Sequence, residues 1–190
     1  MNQETIKYLE ELKVYGIKNN IPNVTERVGQ LLNMLIKMNQ SKNILEIGSA
    51  NGYSTIWLSE AAKTVGGKVT TYDFSEPTIK EAQENLKNVE LFDYVNFNFG
   101  DALNLIPQLS EEEKFDFIFV DGQKKLYLDF WNLIQNRMTD NAIIVFDDVL
   151  AFPKKTKPFN DAMDVLEGFD KVLLPIDVET EDGIMVLRKI

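Results

Sequence analysis

From residue 43 to residue 146, short apolar runs alternate with segments in which apolar residues recur at helical spacing. The apolar runs predict strands, and the helical spacing predicts the helices between them. The predicted strands are 43–48, 68–73, 95–99, 115–120 and 141–146, and the predicted helices are 53–65, 76–88, 102–109 and 124–137. This alternation predicts an α/β fold with a doubly wound, mostly parallel sheet that helices cover on both faces.

The beginning of the chain is purely helical in pattern. The first forty residues predict two helices, 3–19 and 24–39, with Asn23 or Thr25 as the N-cap after Pro22. We expect these helices to pack on the sheet or to cap a bound cofactor.

After residue 150 the pattern changes again. The sequence predicts a loop with Pro153 and Pro158, followed by a short helix near 159–167. Two further strands, 171–176 and 183–189, are joined by an acidic turn that contains glycine. They predict a C-terminal antiparallel hairpin, which brings the sheet to seven strands.

Composition limits the chemistry that the chain can perform. Its 190 residues are of single-domain size, so we expect one domain over 1–190. The chain has no cysteine and no histidine, which excludes disulfides, thiolate chemistry, Ser-His-Asp hydrolysis and imidazole-bound zinc. A general base must therefore be Asp, Glu, Lys or Tyr, and a metal site must use oxygen ligands.

Charge and hydropathy limit the expected partners. The formal charge of −10 opposes binding to nucleic acid, although Lys154, Lys155 and Lys157 form a local basic cluster. No apolar stretch is long enough to cross a bilayer, and the first residues lack the features of a signal peptide. We therefore expect a cytoplasmic protein with no membrane partner.

A glycine-containing loop follows the first predicted strand, in the sequence ILEIGSANGYSTIWL at residues 44–58. Gly48 and Gly52 allow the backbone to approach a ligand, and the N–H groups of the following helix attract an anion. Their spacing differs from the G-x-G-x-x-G of dinucleotide-binding proteins. The segment resembles motif I of class I S-adenosylmethionine-dependent methyltransferases; a nucleotide-binding loop or a purely structural tight turn is the alternative.

The predicted parallel strands end in acidic residues, and ligands of doubly wound sheets bind at these ends. Asp73 is placed to accept the hydroxyls of a ribose, and Asp101 to border an adenine. As alternatives, each is a helix cap or turn residue. Phe74 is a candidate to stack on the adenine, or else a core residue.

Three acidic residues end two neighbouring strands near the middle of the sheet. Adjacent strands lie about 4.8 Å apart, so Asp121, Asp147 and Asp148 can converge on one hard cation such as Mg²⁺, Mn²⁺ or Ca²⁺. In the alternative, Asp147 or Asp148 points to solvent or caps a loop.

Lys124 follows Asp121 by three residues, and a metal and a sulfonium nearby would lower its pKa and make it a proton acceptor. Lys125 is the competing candidate, and a solvent-facing lysine is the plain alternative.

The motifs taken together resemble those of metal-dependent O-methyltransferases of the catechol and caffeoyl-CoA type. The resemblance covers roughly residues 21–190 and rests on LEIGSANGYS, YDF, GDA, VDGQK, FDD and the ending DGIMVLRK, in that order.

The resemblance implies a role for each matching residue. The residues around the methionine end of S-adenosylmethionine would be Glu46, Gly48, Ser49, Gly52 and Ser54, with Ser54 near its carboxylate. Asp73 would hold the ribose with Phe74 beside it, and Asp101 with Ala102 would border the adenine. Asp121, Asp147 and Asp148 match the metal ligands, with Mg²⁺ favoured, and Asp121 would also border the cofactor. Lys124 matches the catalytic lysine.

The expected activity is methyl transfer to a hydroxyl of a small catechol-like or vicinal-diol acceptor. Two departures keep alternatives open: Asp148 stands where the family usually has Asn, and Met185 stands where animal catechol enzymes carry a glutamate. The alternatives are methylation of a hydroxyuridine in tRNA and a non-catalytic module that binds S-adenosylmethionine. Because relatives are often dimers, the resemblance also allows a homodimer.

Overall fold

The sheet is built from seven strands in the computed structural model, which describes residues 1–177 and 182–190. The strands are β1 (Asn43–Ile47), β2 (Lys68–Asp73), β3 (Val95–Phe99), β4 (Phe115–Val120), β5 (Met138–Phe146), β6 (Phe169–Asp177) and β7 (Asp182–Lys189). Their order is β3-β2-β1-β4-β5-β7-β6. The first five pair in parallel, whereas β7 is antiparallel to both β5 and β6. The predicted doubly wound sheet and its closing hairpin are confirmed.

The α-helices in the described residues are α1 (Gln3–Asn19), α2 (Glu26–Asn39), α3 (Tyr53–Val65), α4 (Glu76–Asn88), α5 (Ala102–Leu105), α6 (Tyr127–Ile134) and α7 (Pro153–Asp164). Thr25 is the N-cap of α2, because its hydroxyl accepts a hydrogen bond from the N–H of Val28 at 3.3 Å. None of the helices in the described ranges is long and apolar enough to span a membrane.

Three predicted helices differ from the observed ones. The helix predicted at 102–109 is α5 followed by a 3₁₀ turn, because Pro107 has no N–H and its ring crowds the preceding turn. The helix predicted at 124–137 is a 3₁₀ turn followed by α6, and β5 begins three residues earlier than predicted.

The helix predicted near 159–167 was placed wrongly, since α7 runs from Pro153 to Asp164. Pro153 begins it, at a position where a missing N–H has no cost. Pro158 lies inside it, where one missing hydrogen bond is tolerated. The predicted turn between the last two strands falls largely on residues 178–181, outside the described residues, and Gly183 belongs to β7.

Helices cover the central strand β4 on both faces. Phe117 and Phe119 belong to the core formed with α1, α2 and α3. Ile118 and Val120, which alternate with them, belong to the core formed with α6 and α7. Because β4 is buried on both sides, the residue that follows it, Asp121, is held at the middle of the sheet edge.

Candidate active site

A cavity of about 1280 Å³ opens at the carboxyl ends of the parallel strands, where a doubly wound sheet binds its ligands. Its wall includes residues that follow β1, β2, β4 and β5, together with residues 22–25 between α1 and α2. In the N-terminal segment, α2 packs on α3, and the α1–α2 connection lines part of the cavity. That these helices cap a bound cofactor stays a prediction.

The two glycines of the loop after β1 have different structural roles. Gly48 has a φ of +97°, and a Cβ there would lie 2.5 Å from the carbonyl oxygen of Asp121. Gly48 therefore lets β1 and β4 end side by side at the cavity wall. Gly52 has a φ of +85° and packs against Leu86 and Ala82 of α4. It starts α3 without lining the cavity, and its predicted contact with the cofactor stays a prediction.

Glu46 lies beneath the loop rather than in the cavity wall, which corrects its predicted place around the cofactor. Its carboxylate is fully buried and accepts hydrogen bonds from the hydroxyls of Ser54, Thr55 and Thr71, each at 2.7 Å. Burial raises the pKa of Glu46 to about 7, and the three hydroxyls partly offset this rise. The carboxylate joins β1, β2 and α3, and of its partners Ser54 also lines the cavity.

Asp73 lines the cavity and also organises the loop after β1. One carboxylate oxygen accepts the N–H groups of Ser49 at 3.1 Å and Ala50 at 3.0 Å, and the other accepts the N–H of Ser75 at 2.9 Å. The turn role considered for Asp73 is therefore present. The oxygen that accepts Ser49 and Ala50 has both lone pairs in use, whereas the oxygen that accepts Ser75 keeps one for a ribose hydroxyl. The predicted ribose contact stays a prediction.

The residues predicted for the adenine end lie together along the cavity. Phe74 is 65% exposed and lines the wall, so it is not a core residue. Asp101 caps α5 by accepting the N–H of Leu103 at 2.9 Å, and Ala102 is buried beside it. Both residues line the same cavity.

Asp121, Asp147 and Asp148 form an acidic cluster at the floor of the cavity. The pairing of Val120 with Phe146 places Asp121 beside Asp147, and one carboxylate oxygen from each of the three aspartates lies within 4.8 Å of the others. Asp148 has a φ of +52°, a left-handed conformation that turns the backbone at the end of β5. The predicted convergence of the three carboxylates is therefore observed.

One atom of this cluster lacks a partner. Asp147 Oδ1 is buried without a hydrogen bond from any residue that the structure describes. A buried acceptor of this kind is costly unless something satisfies it, and carboxylate oxygens are the donors that hard divalent cations prefer. The three side chains thus fit a divalent metal ion.

Lys124 joins two of these carboxylates. Its Nζ contacts Asp121 Oδ1 and lies 2.9 Å from Asp148 Oδ2. Burial opposes the charged ammonium, but Asp121, Tyr127 and Asp148 outweigh it and raise the pKa of Lys124. This is the reverse of the lowered pKa expected in the presence of a metal and a sulfonium, so Lys124 is protonated in the protein alone.

Asp182, at the start of β7, is a fourth carboxylate that sequence reasoning missed. It is buried, lines the cavity, and accepts the N–H groups of Ala151 at 3.0 Å and Gly183 at 2.6 Å. Burial and the neighbouring carboxylate of Asp148 raise the pKa of Asp182 to about 6. The predicted C-terminal hairpin was the sequence signal that could have located Asp182, because a strand that runs antiparallel to β5 begins at the edge of the sheet where β5 ends.

Met185 has no place in the cavity wall. It is buried in β7, in register with Phe146 of β5 and Leu173 of β6, and it belongs to the core. Its difference from the glutamate of animal catechol enzymes therefore carries no information about this pocket.

Comparison with known proteins agrees with this geometry. A sequence model described as O-methyltransferase matches residues 1–190. The chain belongs to this O-methyltransferase family. Within the family, a catechol O-methyltransferase of Niastella koreensis is 33% identical over 129 residues, and caffeoyl-CoA O-methyltransferase 1 of Eucalyptus globulus is 31% identical over 147 residues.

The matched segments cover 67% and 75% of this chain but 58% and 59% of these two relatives, respectively. The chain thus spans under two thirds of their length. Among solved structures, an O-methyltransferase from Bacillus cereus in complex with SAH superposes with a TM-score of 0.86 at 26% identity. That likeness covers 97% of this chain and 91% of the Bacillus protein.

Proposed function

We propose that this member of the O-methyltransferase family transfers a methyl group from S-adenosylmethionine to one hydroxyl of a small catechol-like or vicinal-diol acceptor, with the help of a divalent metal. The observation that carries the proposal is the unpaired, buried Asp147 Oδ1, which lies within the cluster of Asp121 and Asp148 and shares the cavity with the glycine loop.

The cofactor half of the cavity contains groups that suit S-adenosylmethionine. The hydroxyl of Ser49 is buried, lines the wall and has no hydrogen-bond partner among residues 1–177 and 182–190. It lies just before α3, where backbone N–H groups favour an anionic group such as the methionine carboxylate. At the other end the exposed ring of Phe74 offers an apolar face to an adenine. The related Bacillus protein binds SAH, the product of the same cofactor.

The acceptor half is built around the acidic cluster. Asp121, Asp147 and Asp148 would hold the metal, and their carboxylates suit Mg²⁺, which the resemblance favours, as well as Mn²⁺ and Ca²⁺. A metal bound there supplies Lewis acidity that lowers the pKa of an acceptor hydroxyl.

Lys124 would be the group that takes the proton of the acceptor hydroxyl. Its ammonium is stabilised by Asp121 and Asp148, which are also the carboxylates that would share their charge with a cation. Sharing that charge would weaken the stabilisation of the ammonium. Once the ammonium had lost its proton to solvent, the neutral Nζ of Lys124 would accept the proton of the acceptor hydroxyl. The cavity walls then hold the acceptor oxygen and the methyl group in line, and this positioning carries much of the rate.

The alternatives are less well supported. A tRNA substrate would gain from a basic surface formed by Lys154, Lys155 and Lys157, but Lys157 is engaged with Asp161 at 2.7 Å and the chain carries a net charge of −10. A binding module without catalysis was suggested by Asp148 and Met185, and Met185 is a core residue.

The test is calorimetric titration with S-adenosylmethionine, followed by an assay of methyl transfer to catechol with Mg²⁺ or with a chelator. We expect cofactor binding, and transfer that requires the metal. Lys124→Met should lower kcat by at least about a hundredfold while cofactor affinity is kept. Lys80→Met, which changes an exposed lysine paired with Glu76, is the control. Absence of cofactor binding would refute the proposal.

A further inference from the structure

Two lysines besides Lys124 line the cavity. Lys125 follows Lys124 in the 3₁₀ turn before α6, and Lys155 lies in the first turn of α7. Within the part of the chain that the structure describes, neither ammonium lies within 4.0 Å of a carboxylate. The cavity wall therefore carries two exposed ammonium groups that have no carboxylate partner among the described residues.

Neither ion pairing nor its position on the helix stabilises the charge of Lys155. The chain has 30 acidic and 20 basic residues, so carboxylates are in excess. Lys157, two residues after Lys155 on the same helix, does pair with Asp161. A cation in the first turn of a helix also opposes the helix dipole. The charge of Lys155 thus has no ionic partner among the described residues, and the side chain lies in the cavity wall.

Lys155 lies beside an apolar surface in the same wall. Its Nζ is 4.8 Å from the centre of the Phe152 ring, and that ring is 40% exposed. Contact with a ring face leaves the N–H groups of the ammonium free to donate. Leu126 lines the cavity near Lys125. The wall thus combines aromatic and aliphatic surface with positive charge.

The acidic cluster and these lysines are connected by one short loop. The chain passes from Asp148 at the end of β5 to Phe152 and Lys155 at the start of α7, and Asp182 fixes the loop by accepting the N–H of Ala151. A small acceptor with its hydroxyls at the cluster would therefore extend along this loop toward Lys155.

We propose that the acceptor is an acidic aromatic diol, in which a carboxylate on the ring or on a short side chain is held by Lys155 and Lys125 while the vicinal hydroxyls face Asp121, Asp147 and Asp148. This inference rests on the proposed function and adds the charge of the substrate. Phe152 contacts the ring, and the two lysines select the anion over neutral and cationic diols of the same size.

The experiment compares 3,4-dihydroxybenzoate, 3,4-dihydroxybenzyl alcohol and 3,4-dihydroxybenzylamine, which share the diol and differ in charge. Their dissociation constants are measured by calorimetry on protein loaded with Mg²⁺ and S-adenosylhomocysteine, and kcat/KM is measured separately with S-adenosylmethionine. We expect the benzoate to bind most tightly and the amine most weakly. The readout is the ratio of alcohol to benzoate dissociation constants, compared between wild type and variants.

Lys155→Gln should lower that ratio by about fivefold, the size expected for one exposed charge pair, and most of the effect should disappear in high salt. Lys157→Gln on the same helix should leave it unchanged. A ratio that Lys155→Gln does not alter would overturn the inference even if all three diols are methylated. Binding ranked by charge without methyl transfer would instead refute the proposed function and keep the anion site. If none of the three diols binds, the anion site is overturned. Methyl transfer to another diol would then still support the proposed function.

Discussion

The hydroxyl of Tyr127 donates a hydrogen bond of 2.7 Å to the backbone carbonyl of Asp147. Tyr127 is fully buried at the start of α6, and its ring packs against Phe146 and Phe159. The bond therefore connects a core side chain directly to the backbone of the acidic cluster. The position of the cluster depends on core packing as well as on the sheet.

Tyr127→Phe should test this connection. Removing the hydroxyl leaves the Asp147 carbonyl without this donor in a buried place, so we expect the free energy of unfolding to fall by about 1–2 kcal/mol. We also expect weaker Mg²⁺ binding, because the carbonyl and the carboxylate belong to the same residue. Urea unfolding and calorimetric titration with Mg²⁺ measure the two effects. Tyr15→Phe, at a half-exposed position on α1, is the control and should change neither. Equal stability of Tyr127→Phe and wild type would contradict the expectation.

Asp147→Asn should separate two effects of the Asp147 carboxylate. One is metal binding, and the other is the loss of stability that its buried charge causes in the metal-free protein. Burial, Asp121 and Asp148 raise the pKa of Asp147 because its negative charge is unfavourable there. Removing that charge should stabilise the metal-free protein by about 1 kcal/mol, or roughly 2–4 °C in Tm for a chain of this length. The same variant should lose the rise in Tm that Mg²⁺ gives to wild type.

Thermal unfolding with Mg²⁺ and with a chelator measures both quantities. Asp161→Asn, which removes an exposed carboxylate on α7, is the control for a general effect of charge. A variant that still gains the full Mg²⁺ stabilisation would show that Asp147 is not a ligand.

The sequence predicted the acidic cluster because the order and direction of parallel strands determine where their ends lie. Asp121 and Asp147 each follow an apolar run, and neighbouring parallel strands end at one edge, so their convergence needed only the strand assignment. Asp182 could not be predicted in the same way. It begins β7, and it reaches the cluster only through the antiparallel pairing of β7 with β5.

Glu46 shows a different limit of prediction from a single sequence. Its place before Gly48 pointed to the cofactor, but its partners are Ser54, Thr55 and Thr71, two of them on α3 and one on β2. A single sequence does not show which face of β1 meets which helix, so the burial of this carboxylate was not predictable. The displaced start of α7 has a local cause, since Pro153 favours a helix start and the two prolines together are typical of a loop.

Asp182 should stabilise the loop after β5 through its two backbone hydrogen bonds. Asp182→Ala leaves the N–H groups of Ala151 and Gly183 without their acceptor, so we expect a loss of about 1–3 kcal/mol in the free energy of unfolding. Asp182→Asn keeps an oxygen at the same place and should recover most of that loss. Urea unfolding of both variants is the measurement. If the two variants are equally unstable, the hydrogen bonds are not what Asp182 contributes.

Glu46 should make stability depend on pH. Its pKa is raised from 4.5 to about 7 in the folded protein, so between these values the folded state holds a proton that the unfolded state has released. Stability from this group is therefore full below about pH 4.5 and declines as pH rises to about 7, by on the order of 3 kcal/mol in total. Glu46→Gln removes the titration while keeping an oxygen that can accept from the hydroxyls of Ser54, Thr55 and Thr71.

The measurement is urea unfolding of wild type and Glu46→Gln at intervals between pH 5 and pH 8, because other titrating groups cancel in the difference between the two proteins. We expect the stability of wild type relative to the variant to fall steadily across this range and to level off above pH 7.5. Glu84→Gln, at an exposed position on α4, is the control for the removal of a glutamate charge. A constant difference between wild type and Glu46→Gln would mean that Glu46 is ionised throughout the range, and that its three hydroxyl donors outweigh the effect of burial.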